Sequence, residues 1–274
     1  MRPALKLDIK PIKAKENQHK KEVKEENNVK KYGQYNTTHP RLKQKVYDFI
    51  LNEPTRILEP CIGQGHLIEF VLEKMPDVKF DMYEIDPSIR MLECIKKKKV
   101  IIGDFLTQKI NKKYKTIIGN PPYIKTKTGN VYIDFIMKCF TLLEDNGELI
   151  FVVPSDFLKL TSIANVLNDM MKVGSFTHIF HPNSEQLFRN AHIDIMVFRY
   201  VKYAKDKMPK SLKTLYNDKS LYLINIGGLI TFSETKSKKC KPLGDSFNVY
   251  VGMVSGKGQV FKNTKLGNID IITG

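Results

Sequence analysis

Between residues 56 and 201 the sequence alternates short apolar runs with amphipathic stretches of helical period, and that alternation leaves few folds open. The run 56–59 is stopped by Pro60 and followed by Gly63-Gln64-Gly65. Leu67, Phe70, Val71 and Met75 then share one helical face, and a second strand, 79–85, is closed by Asp86-Pro87. The pattern repeats with a helix over 88–96, strands at 100–102 and 116–118, a helix over 132–143 and a strand at 149–153. Leu160, Ile163, Ala164 and Leu167 mark a further helix, and strands at 176–180 and 193–201 complete the series. Strands separated by helices pair in parallel, so the expected fold is α/β: seven strands in a doubly wound sheet.

The two ends of the chain read differently. Residues 1–31 offer almost nothing apolar to bury and are expected to be a flexible basic tail. After residue 204 the text turns lysine- and glycine-rich, with short strand-like pieces at 221–226, 249–254 and 269–272, which predicts a smaller β-rich module over 205–274. The expected organisation is therefore a tail (1–31), a catalytic core (32–204) and a partial C-terminal module (205–274). Charge follows the same division. The net +16 is made of +5 in residues 1–31, +2 in 32–198 and +9 in 199–274, so a near-neutral core is flanked by basic segments suited to a polyanion, most simply nucleic acid. Lysine-rich ends also serve solubility alone, and charge does not separate the two.

The longest apolar run, 149–153, is far too short to span a bilayer, and the lysine-rich N-terminus does not resemble a signal peptide. Cys61, Cys94, Cys139 and Cys240 form no CxxC pair, so neither a disulfide framework nor a zinc site is expected, and the reading is an intracellular, cytoplasmic protein.

Three stretches carry chemistry. The turn from Glu59 through Pro60 and Cys61 to Gly63 and Gly65 follows the first strand, at the edge where open α/β sheets hold ligands. Ile68 stands where a dinucleotide fingerprint needs its third glycine, and the 252–258 stretch is one residue short of a phosphate loop. An adenosine ligand without pyrophosphate fits better. Glu84, 19 residues beyond Gly65 at the end of the second strand, is suited to a pair of ribose hydroxyls, and Asp104-Phe105 ends the third. The third stretch, Asn120-Pro121-Pro122-Tyr123, follows the strand at 116–118. Its prolines stiffen the backbone, Asn120 and the Pro121 carbonyl offer acceptors, and Tyr123 offers a flat face. This set suits a planar group bearing an amine. Acceptors on both N–H groups favour a pyramidal nitrogen whose lone pair can be aimed at an electrophile.

These stretches, with Gly33-Gln34-Tyr35-Asn36-Thr37 before them and 188–200 after, resemble the S-adenosyl-L-methionine-dependent DNA N6-adenine methyltransferases of the gamma arrangement, the NPPY family of restriction-modification enzymes. The resemblance covers roughly residues 32–201 in family order and implies the Rossmann-like methyltransferase fold. It places Thr37, Glu59, Pro60 and Cys61 around the methionine part of the cofactor, Glu84 at the ribose and Ile85 on the adenine face. Asp104 would accept from the cofactor's amino group, with Phe105 packed on its ring. Tyr123 and Phe188 would stack on an adenine flipped out of double-stranded DNA. Asn120 with Pro121, Pro122 and Tyr123 would be the catalytic set, and no metal is implied.

The resemblance also implies a longer recognition region than 205–274 supplies, so a fragment, a shortened product or a second subunit carrying specificity all remain open, as does a bacterial or viral source. NPPY is shared with protein-glutamine and RNA amino methyltransferases, and a chain that binds cofactor or DNA without turnover is a further reading. His178 and His181 are too sparsely accompanied for a metal site. Lys96 to Lys99 reads as a solvated helix end.

Overall fold

A computed structural model describes residues 32–33, 35–126, 129–182, 187 and 193–235. Helix α1 (Pro40–Asp48) starts on a proline whose fixed φ suits a first helical turn, and it buries Leu42 and Val46. Then follow β1 (Arg56–Glu59), α2 (His66–Lys74), β2 (Lys79–Glu84), α3 (Glu93–Lys96), β3 (Val100–Ile102) and β4 (Tyr114–Gly119). A small hairpin, β5 (Lys125–Thr126) and β6 (Gly129–Asn130), leads into α4 (Val131–Leu142) and β7 (Leu143–Pro154). The chain continues through α5 (Ala164–Val173), β8 (Gly174–Phe180), β9 (Ile195–Lys202), β10 (Lys213–Tyr216), β11 (Lys219–Ile226) and β12 (Leu229–Ser233).

Ten strands form one sheet in the order β12-β11-β10-β8-β9-β7-β4-β1-β2-β3, and β5 and β6 pair separately. From β7 to β3 neighbours are parallel, whereas β9 runs antiparallel between β7 and β8. The chain leaves β1 toward β2 and β3 on one side and returns to β4 on the other. Strand order therefore reverses between β1 and β4, opening a crevice at their carboxyl ends.

Period-two alternation divides the core. Leu149, Phe151 and Val153 of β7 pack under α4 and α5 with Phe157, Phe176 and Phe198, while Ile150 and Val152 meet Leu42 and Val46 of α1 and Val71 of α2. The amino edge is tied by a buried pair. Arg199 Nε donates to Glu148 Oε2 at 2.7 Å, and the same carboxylate accepts from Thr116 Oγ1 and from the backbone N–H groups of Leu51 and Asn52.

Two expectations need correction. The helix expected over 88–96 is a single turn, Glu93–Lys96, because Asp86 Oδ1 accepts from both the N–H and the hydroxyl of Ser88, and Leu92 N–H donates to the Gln64 carbonyl. Local turns thus compete with helix there. Seven strands become ten, since the sheet runs across the boundary expected near residue 205. β10 pairs in parallel with β8, Leu215 opposite His178, and Thr214 Oγ1 donates to the Phe176 carbonyl at 2.6 Å. Asn217-Asp218 and Gly227-Gly228 all have positive φ, as two-residue hairpin turns require, so β11 and β12 fold back antiparallel onto β10. The strand-like pieces at 249–254 and 269–272 lie outside the described residues.

Candidate active site

The crevice between β1 and β4 is a cavity of about 390 Å³. Every residue expected to hold the cofactor lines it: Thr37, Glu59, Pro60, Cys61, Gly63, Gly65, Glu84, Ile85, Asp104 and Phe105, together with Asn120 and Pro122. Four carboxyl ends meet here, those of β1, β2, β3 and β4.

The glycine turn is shaped by Glu84. Its Oε2 accepts from Gly63 N–H and its Oε1 from Asp86 N–H, each at 2.8 Å, while the Tyr83 carbonyl accepts from Ile62 N–H. Gly63 (φ 59°) and Gly65 (φ 96°) occupy left-handed backbone, and Gly65 caps α2 where a Cβ would lie 2.4 Å from Ile95 Cγ1. Glu84 is 3% exposed, and desolvation by burial raises its pKa despite those N–H donors. A carboxylate offers about four lone-pair sites, so a group held this way by backbone donors can still accept from a hydroxyl at the cavity wall.

Glu59 is more unusual. It is 2% exposed, and its Oε1 accepts from Cys61 N–H at 3.1 Å and from Cys61 Sγ at 3.6 Å. Desolvation pushes its pKa up to about 8, with the Glu84 carboxylate adding to the rise. Burial thus favours the protonated form of this carboxyl in the cavity wall.

On the opposite wall Asp104 Oδ1 accepts from Leu106 N–H at 2.9 Å and caps the turn Phe105–Thr107. Phe105, expected to lie on the cofactor ring, lines the cavity but is 2% exposed, stacked on Phe135 at 5.4 Å and edge-on to Tyr83 at 5.2 Å. It therefore contributes little exposed surface, and Ile85, 45% exposed, offers the larger apolar area. Lys138 of α4 locks this turn by donating to the carbonyls of Leu106 and Gln108 at 3.0 and 2.6 Å, with Nζ 4.7 Å from the Phe105 ring centre.

A cavity lined by buried carboxyl groups and by apolar side chains suits S-adenosyl-L-methionine, with its diol, its flat base and its cationic sulfur. The buried Glu84 carboxylate, fixed by backbone donors at the cavity wall, is the observation that carries this fit.

Asn120 stands at the carboxyl end of β4. Its Nδ2 donates to the Tyr35 carbonyl at 2.6 Å and to Thr37 Oγ1 at 3.1 Å, and its Oδ1 accepts from Tyr123 O–H at 2.6 Å. The acceptor expected for a substrate amine is thus engaged by the chain's own tyrosine. Tyr123 is further covered by Tyr35, stacked at 5.5 Å and 26°, and touched edge-on by Tyr132. Burial pushes its phenol well above the usual range. Pro121 is buried beside Asn120 but is not a cavity residue, and Phe188 lies outside the described residues.

Sequence reasoning missed Tyr35 as a wall of Tyr123, Lys138 as a lock and Phe135 as a lining residue. Val131 and Phe135 share a helical face, which could have flagged Phe135; nothing in the sequence marks Lys138. Asp194, also unforeseen, meets His181 Nε2 at 2.9 Å and Ser155 Oγ, tying the carboxyl ends of β7 and β8 to the start of β9. Among the described residues no group of side chains could hold a metal ion, and no helix is long and apolar enough to cross a membrane.

Residues 73–188 match the family described as Eco57I restriction-modification methylase. The type II methyltransferase M.CvrRI of Paramecium bursaria Chlorella virus XZ-6E is 33% identical over 163 residues, 53% of this chain and 42% of that protein. The type II methyltransferase M.HincII of Haemophilus influenzae is 25% identical over 239 residues, 79% of this chain and 43% of that protein. The chain therefore spans less than half the length of these relatives. Among solved structures, a class I S-adenosylmethionine-dependent methyltransferase from Listeria monocytogenes superposes with a TM-score of 0.55 at 17% identity, covering 68% of this chain and 67% of that one. The M protein of the type I restriction enzyme EcoKI does so with 0.52 at 17% identity, over 63% of this chain and 45% of that one. With the motifs brought together at the β1/β4 crevice, the chain is similar to restriction-modification methylases over these stretches, and its fold is the class I methyltransferase fold.

Proposed function

We propose that this protein transfers a methyl group from S-adenosyl-L-methionine to N6 of an adenine flipped out of double-stranded DNA, within a restriction-modification or viral DNA modification system. When bound, the cofactor supplies a methyl group on a cationic sulfur, an electrophile that needs no metal. The protein's share is positioning. Glu84 holds the ribose hydroxyls, Ile85 and Phe105 flank the adenine, and Asp104 accepts from its amino group. Thr37, Glu59, Pro60 and Cys61 surround the methionine part.

Asn120 Oδ1 and the Pro121 carbonyl accept the two N–H groups of the target amine, which localises its lone pair toward the cavity. With N6 held there by Asn120 and Pro121, a bound cofactor would give its methyl group to that lone pair and be left as the neutral thioether, and the excess N6 proton would leave to water. Tyr123 stacks on the base, and Phe188 is assigned to its other face. The observation that carries this reading is Asn120 itself: an amide whose oxygen lies beside Tyr123 at the rim of the cofactor cavity. The matched family's description as a restriction-modification methylase supports DNA as the substrate, and the basic ends of the chain support contact with its backbone.

The test uses tritiated cofactor and unmethylated duplex DNA, followed by digestion to nucleosides. Label is expected in N6-methyladenine, and Asn120→Ala is expected to lower transfer by about 10² or more while cofactor affinity stays within a few-fold. Label entering protein or RNA but never DNA overturns the assignment.

A further inference from the structure

Thr37 holds a second position besides its place in the cavity wall, and the hydrogen bonds around Asn120 define it. A primary amide can sit in either of two orientations related by a half-turn, and only its partners decide which. Here the Tyr35 carbonyl, which can only accept, lies 2.6 Å from one end of the amide, so that end must be nitrogen. The second hydrogen of Nδ2 goes to Thr37 Oγ1 at 3.1 Å. With both donors directed to residues 35 and 37, the oxygen is the face left toward Tyr123. Thr37 is 7% exposed, so its hydroxyl is held in place rather than averaged over rotamers in solvent.

We propose that Thr37 is a positioning residue: its hydroxyl, with the Tyr35 carbonyl, orients the Asn120 amide so that Oδ1 is presented to the substrate amine. The functional half of this inference rests on the methyltransferase reading above; the orientation itself does not. Without Thr37 Oγ1 one Nδ2 hydrogen loses its acceptor, and the amide gains freedom to rock away from the geometry that localises the N6 lone pair. The hydroxyl accepts from Nδ2, and Thr37 also lines the cavity. The residue thereby joins the cofactor wall to the catalytic amide.

The test separates orientation from turnover. The full chain is labelled with ¹⁵N-asparagine, and the Asn120 side-chain amide signal is identified by its loss in Asn120→Ala. Thr37→Val is expected to speed exchange of the Asn120 Nδ2 hydrogens at least tenfold, with Thr37→Ser close to the parent protein. Thr37→Ala serves the same comparison if the valine variant fails to fold. In methyl transfer, Thr37→Val is expected to lower kcat about tenfold, the rate equivalent of one hydrogen bond, with KM for DNA within a few-fold. Adding it to Asn120→Ala should cost nothing more. Unchanged Asn120 exchange in Thr37→Val, or equal acceleration in the valine and serine variants, overturns the proposal whether or not the protein turns over. Thr37-dependent exchange in a protein that never labels DNA supports the orientation and removes only the DNA reading.

Discussion

The hydroxyl of Tyr123 donates to Asn120 Oδ1 at 2.6 Å, occupying the acceptor that a target amine needs. The same tyrosine ring is covered by Tyr35 at 5.5 Å. In this state the protein satisfies the Asn120 amide itself, and under the proposed function an incoming base must displace a hydrogen bond to take it.

Substitutions at Tyr123 should therefore divide by what they remove. Tyr123→Phe keeps the stacking face and deletes the competing donor, so KM for DNA is expected to stay level or fall, with kcat within a few-fold. Tyr123→Ala deletes the face as well. Loss of base–aromatic stacking, about 1–3 kcal/mol, should lower kcat/KM by roughly 10- to 100-fold in a single-turnover assay. Equal defects in the two variants would show that the hydroxyl, not the ring, is what matters.

If Glu59 lies beside the cofactor as proposed, cofactor binding should depend on pH. Its pKa is raised by burial from 4.5 to about 8, so the folded protein holds a proton there that the unfolded chain releases. Stability from this group is therefore full below pH 4.5 and declines as pH rises toward 8. A cation placed beside Glu59 favours the carboxylate, so binding of the sulfonium cofactor should release a proton and tighten between about pH 6 and 8. Calorimetry in two buffers of different ionisation enthalpy would measure that proton, and Glu59→Gln should abolish it.

The two glycines of the cofactor turn should respond unequally to alanine. Gly63 has its nearest neighbour, Asn36 Oδ1, 3.3 Å from an added Cβ, so Gly63→Ala costs mainly the left-handed backbone, about 1 kcal/mol. At Gly65 the added methyl would lie 2.4 Å from Ile95 Cγ1, inside the packed core. Gly65→Ala should lose a further 1–3 kcal/mol or so, roughly, by overpacking, read as a lower denaturation midpoint in urea.

Arg199 and Glu148 should be far less tolerant of single changes than the surface pairs. Glu148 has none of its surface exposed, and Arg199→Leu would leave its carboxylate buried without a counter-charge. A loss of about 3–5 kcal/mol is expected, against about 0–1 kcal/mol for Lys172→Ala, whose partner Asp169 is largely exposed. Thermal unfolding of both variants checks the ranking.

Where the chain is shortened should matter more than how many lysines are removed. A stop after Ala204 deletes β10, β11 and β12 and uncovers the edge of β8, so aggregation or loss of cooperative unfolding is expected. A stop after Thr235 keeps the sheet and removes seven basic and two acidic side chains. That variant should keep cofactor affinity and show a flatter salt dependence of DNA binding, by about 0.9 in the log–log slope for each phosphate no longer neutralised. An unchanged slope would assign the phosphate-binding role to other lysines.

The elements of the core were legible because their signals are local. A proline or glycine ends each run, apolar residues recur at period two or 3.6, and the order of strands and helices admits a parallel sheet with a crevice at its reversal. The cofactor turn and the Asn120–Tyr123 motif sit at strand ends for the same reason, and the cavity gathers every expected cofactor residue. What tertiary structure decided depends on partners distant in the chain. Residues 213–233 read as the start of a separate module, since a short lysine-rich strand carries no mark of which edge it will join; pairing with β8 made them part of the core sheet. The Glu59 carboxyl came to favour its protonated form only when β1 was buried beside Glu84, 25 positions away. The orientation of the Asn120 amide was settled by a carbonyl 85 residues earlier, because a hydrogen bond is set by separation in space and leaves no periodic trace in the sequence.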